Sequence, residues 1–196
     1  MASGAPDLPF WYYHFPDKNG VNFNMYEFIQ DVDASGKIPN FMGIKFTDEH
    51  LMEINAGGAF RNKKYNMLLG RDELILSTLI NGNGQGSIGS THSFMSYGVQ
   101  VVERYNEHKF DEAREAQLKA IDVIKAWTKI TGGINAQKSI LKMTGIDFGP
   151  LRAPQDNPTH EQEMELGTAL SKIGMNITSE YILPEPQQLM MDPLDL

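Results

Sequence analysis

The chain contains no cysteine, and this absence excludes disulfide bonds, thiolate metal sites and cysteine nucleophiles. A membrane-spanning helix needs about 20 apolar residues, and no apolar run in this sequence approaches that length. Residues 1–7 also lack the basic segment and the apolar core of a secretory signal. Together, these absences predict a cytoplasmic protein.

Basic residues are outnumbered: 17 lysines and arginines stand against 25 aspartates and glutamates, which gives a net charge of −8. This acidic balance argues against nucleic acid or an anionic membrane as the main partner. It does not exclude a small anionic substrate, because the local charge of a site decides that. The five histidines, His14, His50, His92, His108 and His160, show no ligand spacing, so we expect no metal.

Strand-like and helix-like segments alternate in the first part of the chain. The apolar segments Leu8–Phe15, Phe41–Phe46 and Tyr65–Leu69 are predicted to form strands, and Gly86–Gly89 is predicted to form a short fourth strand that is poor in side-chain bulk. Each is followed by a helical pattern, which predicts an α/β fold with parallel strands and right-handed crossovers. Four parallel strands leave two bare sheet edges, and a closed α/β barrel needs eight strands.

Local signals predict where several helices begin and end. Gly57-Gly58 is expected to end the helix after the second strand. Asp72 is expected to cap the helix after the third strand. Thr159 and Gln162 form a capping-box pattern at the start of the last helix.

The domain boundaries follow from this order of segments. Residues 1–155 are predicted to form one α/β domain, and residues 156–175 a C-terminal helix. Residues 176–196 contain three prolines and an acidic end, which predict a loosely ordered tail.

Lys45 lies at the polar end of an apolar run, in the segment Gly43-Ile44-Lys45-Phe46-Thr47-Asp48. An uncharged amine is a nucleophile that can condense with a ketone. This role requires a lysine pKa well below the free value of about 10.4, and desolvation by apolar walls lowers it. The alternative is an ordinary surface lysine just past a strand, which composition alone favours.

Tyr13 lies near the end of an aromatic strand, before His14-Phe15-Pro16. A tyrosine in such a strand usually belongs to the core, where its hydroxyl finds a hydrogen-bond partner. A catalytic role would require it at the carboxyl end of the strand, where α/β barrels build their sites. Its position fits that requirement.

Two further segments carry polar groups after strands. Asp72 and Glu73 suit either the first turn of a helix or hydrogen bonds from a polyol. The glycine-rich segment Gly86-Ser87-Ile88-Gly89-Ser90-Thr91 lacks the Gly-Lys-Ser/Thr ending of a P-loop and the spacing of a dinucleotide fingerprint. Its small residues let the backbone come close to a bound group.

Four segments, in this order, resemble the dihydrodipicolinate synthase-like class I aldolases, and among them the N-acetylneuraminate lyase branch. The resemblance covers roughly residues 8–155. The segments are Tyr12-Tyr13-His14-Phe15-Pro16, Gly43-Ile44-Lys45-Phe46-Thr47-Asp48, Leu69-Gly70-Arg71-Asp72-Glu73 and Gly86-Ser87-Ile88-Gly89-Ser90-Thr91.

The resemblance implies the C-terminal half of a (β/α)8 TIM barrel, strands 5–8, followed by extra C-terminal helices. It also implies a homo-oligomer, usually a homotetramer, and a covalent lysine Schiff base with no separate cofactor. Lys45 would attack C2 of open-chain sialic acid, and Tyr13 would move the proton of the C4 hydroxyl. The products would be N-acetylmannosamine and pyruvate.

The resemblance also implies a set of substrate-binding residues. The backbone of Ile88 would lie near the pyruvate moiety. The sugar's hydroxyl chain would be held by Thr47, Gly70, Asp72, Glu73 and Ser90.

The chain departs from the family pattern in several places. Relatives bind the substrate carboxylate with a Gly-Thr-Thr-Gly-Glu-type loop, and no such segment occurs here. The first matched strand corresponds to the fifth of the barrel, so strands one to four have no counterpart in this chain. His92-Ser93 replaces a Tyr-Asn pair. We therefore expect weak or no activity from the isolated chain.

Three alternatives remain at this stage. One is another pyruvate-dependent Schiff-base aldolase of the dihydrodipicolinate synthase-like kind. The second is a non-catalytic half-barrel that acts by self-association through its bare strand edges. The third is a truncated gene model, in which the chain begins at an internal methionine.

Overall fold

The computed structural model describes residues 2–81 and 85–184. Its three strands are β1 (Phe10–His14), β2 (Phe41–Phe46) and β3 (Asn66–Leu69). The α-helices are α1 (Pro16–Asn19), α2 (Met25–Ser35), α3 (Leu51–Ala59), α4 (Ile75–Ile80), α5 (Tyr97–Asn106), α6 (Phe110–Thr131), α7 (Gln137–Met143) and α8 (His160–Ile173). Short 3-10 helices occupy Ala2–Gly4, Asp72–Leu74, Thr91–Ser93, Ile134–Ala136 and Ser179–Tyr181.

The strands form one parallel sheet in the order β1-β2-β3, as the alternation of strands and helices predicted. The fourth predicted strand, Gly86–Gly89, is reduced to a single parallel bridge between Leu69 and Ser87. Its small side chains offer little apolar area to hold a longer strand in place.

The pairing register places the strand ends side by side. Tyr13 pairs with Lys45, and Lys45 pairs with Leu68. Side chains of paired residues point to the same face of a sheet, and successive residues alternate between faces. Tyr13 and Lys45 therefore share one face, and His14 lies on the other.

A β-bulge lies at the start of β2. Phe10 pairs with Phe41 and Trp11 pairs with Gly43, so Met42 has no partner on β1. The approach of β3 requires a glycine at position 43, because a Cβ there would lie 1.9 Å from the carbonyl oxygen of Asn66 in β3. Only glycine lets β2 and β3 approach this closely.

The face of the sheet that carries His14 is covered by helices. Ile44 and Met67 are fully buried there. The helix α3 comes close, since a Cβ at Gly57 would lie 3.0 Å from both Ile29 in α2 and Met67 in β3. Gly57-Gly58, which was predicted to end this helix, lies in its last turn, since α3 continues only to Ala59, and Gly57 allows this close packing.

The described chain divides into two compact units. The first comprises the residues up to Ser90 together with Gln100–Arg114, and it contains the sheet. The second comprises Thr91–Val99 and the residues from Glu115 onward. Helices α5 and α6 each contribute residues to both.

The second unit has its own apolar core, and its last helix begins as the sequence predicted. The Thr159 side chain accepts a hydrogen bond from the N–H of Gln162, whose side chain accepts one from the N–H of Thr159. Ile177 and Tyr181 of the predicted tail are buried in this core, and residues 185–196 of that tail lie outside the described residues. Other core residues include Trp127, Ile140, Met143, Leu166 and Leu170.

Over residues 2–81 and 85–184, no helix combines the length and the apolar character needed to cross a membrane.

Candidate active site

Lys45 and Tyr13 meet at the carboxyl ends of β2 and β1. The Lys45 Nζ lies 4.3 Å from the centroid of the Tyr13 ring. The Lys45 side chain is half-buried, and Tyr13 is 46% exposed. A lysine amine and a tyrosine phenol thus share one accessible face of the sheet. The sequence analysis placed both residues near strand ends, and the family resemblance implied their catalytic roles, which stay predictions.

Thr47 and Gly70 complete the immediate surroundings of the amine. A Cβ at Gly70 would lie 1.9 Å from Thr47 Oγ1 and 3.2 Å from Lys45 Cε. The Gly70 N–H donates to the carbonyl of Phe46 at 2.7 Å, which fixes this approach. The three predicted site residues Lys45, Thr47 and Gly70 therefore line one small space.

The Thr47 hydroxyl is buried and, within the described part of the chain, has no hydrogen-bond partner. Its own N–H is used, since it donates to the His14 carbonyl at 2.9 Å. An unsatisfied buried polar group costs about 1–3 kcal/mol. A bound ligand with a donor or acceptor at this point would recover that cost.

Asp72 lies in the loop after β3 and is buried. It accepts a hydrogen bond from Ser87 Oγ at 3.1 Å, and a Cβ at Gly89 would lie 1.6 Å from its Oδ1. The prediction that Asp72 caps a helix is wrong: it is the first residue of the 3-10 helix, whose N-cap is Arg71. Its carboxylate is directed to the glycine-rich segment instead.

The remaining predicted binding residues lie along the same strand ends. The Ile88 N–H donates to the Leu69 carbonyl at 2.8 Å, and its side chain is 47% exposed. Glu73 Oε1 lies 3.7 Å from Arg71 Nη1, and Ser90 is exposed. The contacts described above do not join these three residues to Lys45, so their substrate roles stay predictions.

Arg71 is a residue of this region that sequence reasoning missed. Its guanidinium contacts Asp17 after β1, and it lies 3.9 Å from Glu49 after β2 and 3.7 Å from Glu73. One cation thereby links the loops that follow all three strands. No local pattern indicates this, because its partners are far apart in the sequence.

A second missed group lies on the helix-covered face, directly behind Tyr13 and Lys45. His14 Nε2 lies 3.5 Å from Asp48 Oδ2. The other carboxylate oxygen of Asp48 accepts from the Glu49 N–H at 2.6 Å and lies 2.6 Å from His50 Nδ1. A buried imidazole and a buried carboxylate thus form a chain that ends at the exposed His50.

The surroundings shift the pKa values of these three groups. Burial lowers the pKa of His14, against the opposing effect of Asp48. Burial raises the pKa of Asp48, but hydrogen bonds from the His50 side chain and the backbone outweigh it, and the net pKa lies below the usual value. The hydrogen bond to Asp48 raises the pKa of His50.

The model of the Dihydrodipicolinate synthetase family matches residues 2–173. The chain belongs to this family. The resemblance predicted from the four sequence segments is therefore confirmed.

Named members of the family are similar over most of this chain. N-acetylneuraminate lyase from Mus musculus is 32% identical over 164 residues, which cover 82% of this chain and 50% of the mouse protein. The lyase from Homo sapiens shows the same identity and coverage. The chain therefore spans about half the length of the curated relatives it matches.

Solved structures of the family show a similar fold. N-acetylneuraminate lyase from Proteus mirabilis is 27% identical, with a TM-score of 0.79, and the match covers 89% of this chain and 58% of that chain. The three-stranded parallel sheet thus fits part of a family barrel.

Proposed function

We propose that this chain carries the Schiff-base part of an N-acetylneuraminate lyase, a carbon–carbon lyase. The reaction is the retro-aldol cleavage of sialic acid to N-acetylmannosamine and pyruvate. The observation that carries the proposal is the contact of Lys45 Nζ with the Tyr13 ring at 4.3 Å, at adjacent carboxyl strand ends. Its similarity to lyases that bear this name supports the choice of substrate.

In the proposed reaction, the neutral Lys45 amine attacks the C2 ketone of the open-chain sugar acid to give a carbinolamine. The Tyr13 hydroxyl donates its proton to the departing hydroxyl group, which leaves as water and gives an iminium and a Tyr13 phenolate. The Tyr13 phenolate takes the proton of the C4 hydroxyl, the C4–O electrons form the aldehyde carbonyl, and the C3–C4 bond breaks. Its electron pair moves into the iminium and gives an enamine. After N-acetylmannosamine leaves, the Tyr13 hydroxyl returns its proton to C3. Water then hydrolyses the iminium to pyruvate and the Lys45 amine, and the remaining proton returns to the Tyr13 phenolate.

The substrate would be held by polar groups at the same sheet edge. The unpartnered hydroxyl of Thr47 next to Lys45 supports a hydrogen bond to the bound keto acid. Asp72 and Glu73 would accept hydrogen bonds from the sugar's hydroxyl chain, with Ser90 and the Gly70 backbone. The Ile88 backbone would lie near the pyruvate moiety.

We further propose that β1, β2, β3 and the Ser87 bridge correspond to strands five to eight of the family barrel. The loop that binds the substrate carboxylate in relatives has no counterpart in this sequence. Each lost charge-assisted hydrogen bond weakens transition-state binding by about 1.5–3 kcal/mol. The isolated chain is therefore expected to turn over sialic acid weakly, even where Lys45 still reacts.

The test is borohydride trapping of the chain with pyruvate, followed by peptide mass mapping. We expect one reduced pyruvate adduct, on the peptide that contains Lys45. Lactate is the matched control, because it lacks the carbonyl and cannot form an iminium. An adduct at another lysine, or none even after the N-terminal half of a related lyase is supplied, contradicts the proposal. A second assay separates a sialic acid lyase from a dihydrodipicolinate synthase-like aldolase. The first would cleave sialic acid, and the second would condense pyruvate with aspartate semialdehyde.

Self-association is a second candidate function, favoured by the open face of the sheet. Trp11 and Tyr13 on that face are 38% and 46% exposed. Among the described residues, β1 pairs with β2 alone, so its outer edge is available to another strand. Sedimentation over a range of concentrations tests this, and we expect a homo-oligomer. A monomer at every concentration contradicts it.

A further inference from the structure

His14 is a buried titratable group that the proposed reaction does not use. It is the last residue of β1 and is 1% exposed. Its ring stacks on Phe46 at 5.3 Å between centroids, and the Phe23 ring meets it edge-on at 6.3 Å. Such an apolar setting for an imidazole is costly unless its polar atoms have partners.

The polar neighbour of the His14 imidazole is the Asp48 carboxylate. Asp48 Oδ2 lies 3.5 Å from His14 Nε2, and His14 Nδ1 has no partner anywhere in residues 2–81 and 85–184. A carboxylate can only accept hydrogen bonds. We therefore assign the hydrogen to Nε2, which leaves the Nδ1 lone pair among the aromatic rings. The other charged group that acts on His14 from a packed element is Glu53 in α3, with His50 beyond Asp48.

This pair joins the two strand ends that carry the reactive residues. His14 directly follows Tyr13, and Asp48 lies three positions beyond Lys45. The Thr47 N–H donates to the His14 carbonyl at 2.9 Å. This backbone hydrogen bond and the side-chain contact of His14 with Asp48 therefore both join the end of β1 to the segment after β2. His14 lies on the helix-covered face, opposite the face that carries Tyr13 and Lys45, and Asp48 meets it there.

We propose that His14 and Asp48 are positioning residues, whose contact behind the sheet fixes the separation of the Tyr13 ring and the Lys45 amine. This inference rests on the proposed Schiff-base function. A small displacement of a reacting group matters, since misplacement by about 1 Å can lower a rate by about 100-fold. Two strand ends joined only by backbone hydrogen bonds would leave more freedom at this point.

The test compares two substitutions of His14 that differ in one property. His14→Phe keeps a flat ring against Phe46 but removes the Nε2–H donor. His14→Gln loses the ring and keeps an amide N–H near the position of Nε2. We expect His14→Phe to lower the maximal rate of pyruvate trapping at Lys45 by roughly tenfold, with unchanged half-saturation by pyruvate. His14→Gln should restore most of that rate, and the surface variant His160→Gln should match the wild type.

A double-mutant cycle measures whether the two groups act together. We expect Asp48→Ala to lower the trapping rate as His14→Phe does, and the double variant to lose no more than either single variant. Losses that multiply, a trapping rate unaffected by His14→Phe, or a change in pyruvate half-saturation alone would overturn the inference. If His14→Phe does not fold, Asp48→Ala, which removes the hydrogen-bond acceptor, is compared with His14→Gln in its place.

The outcomes separate this inference from the proposed function. If the wild-type chain forms no adduct at Lys45, the proposed function is wrong and the positioning role falls with it. Urea unfolding of the wild type, His14→Phe, Asp48→Ala and the double variant then shows whether the contact between His14 and Asp48 couples the two strands. If the wild type forms the adduct and the His14 and Asp48 variants trap equally fast, only the positioning role is overturned.

Discussion

Lys45→Arg should abolish the borohydride-trapped pyruvate adduct and leave the chain folded. Arginine keeps the positive charge and the contact with the Tyr13 ring. Its guanidinium does not lose a proton in proteins, so it offers no lone pair to a ketone. The expected result is loss of the adduct by mass spectrometry, with an unchanged circular dichroism spectrum.

Lys37→Arg is the matched control, because Lys37 is an exposed lysine before β2. It should form the adduct at the wild-type rate. An adduct of wild-type yield in Lys45→Arg would assign the chemistry to another lysine and would contradict the proposed function. Loss of the adduct in both variants would point to a general effect of lysine replacement.

Gly43→Ala should destabilise the fold more than any other substitution considered for this sheet. The new Cβ would lie 1.9 Å from the carbonyl oxygen of Asn66, and that oxygen belongs to the backbone of the neighbouring strand. No flexible side chain can move aside, so β2 and β3 must separate. Overpacking typically costs about 1–3 kcal/mol, and a backbone clash should exceed that range.

Urea denaturation followed by circular dichroism measures this loss. Gly4→Ala is the matched control, since a Cβ at Gly4 meets no atom within 4 Å. It should unfold at the wild-type urea concentration. A Gly43→Ala protein as stable as Gly4→Ala would mean that β2 and β3 do not approach as closely as described.

The positions of Tyr13 and Lys45 near strand ends could be predicted because their signals are local, whereas their choice as a catalytic pair came from the family resemblance. Tyr13 and Lys45 each lie one residue before the end of a strand, and parallel strands bring their carboxyl ends to one edge. The proximity of Thr47 to Lys45 follows from their spacing in one segment.

Other features depend on contacts between distant segments and could not be read from the sequence. Gly57-Gly58 has the composition of a helix end and lies in the last turn of α3, but the packing of Gly57 against Ile29 and Met67 does not show in that pattern. Asp72 has the composition of a cap, but its partner Ser87 lies in another loop. The Arg71 contacts and the His14–Asp48 pair involve residues whose proximity only the sheet register creates.

The bulge at Met42 separates the beginning of β2 from its reactive end. Pairing from Trp11–Gly43 to His14–Phe46 is regular, and the surplus residue is taken up before it. Phe41, which lies before the bulge, contacts Phe28 and Tyr65 on the helix-covered side of the sheet. The helix-covered face of β2 is therefore the same before and after the bulge. The strand can therefore gain or lose a residue at its entrance without turning the lysine away from the tyrosine, whereas the same change after Gly43 would reverse the direction of the amine.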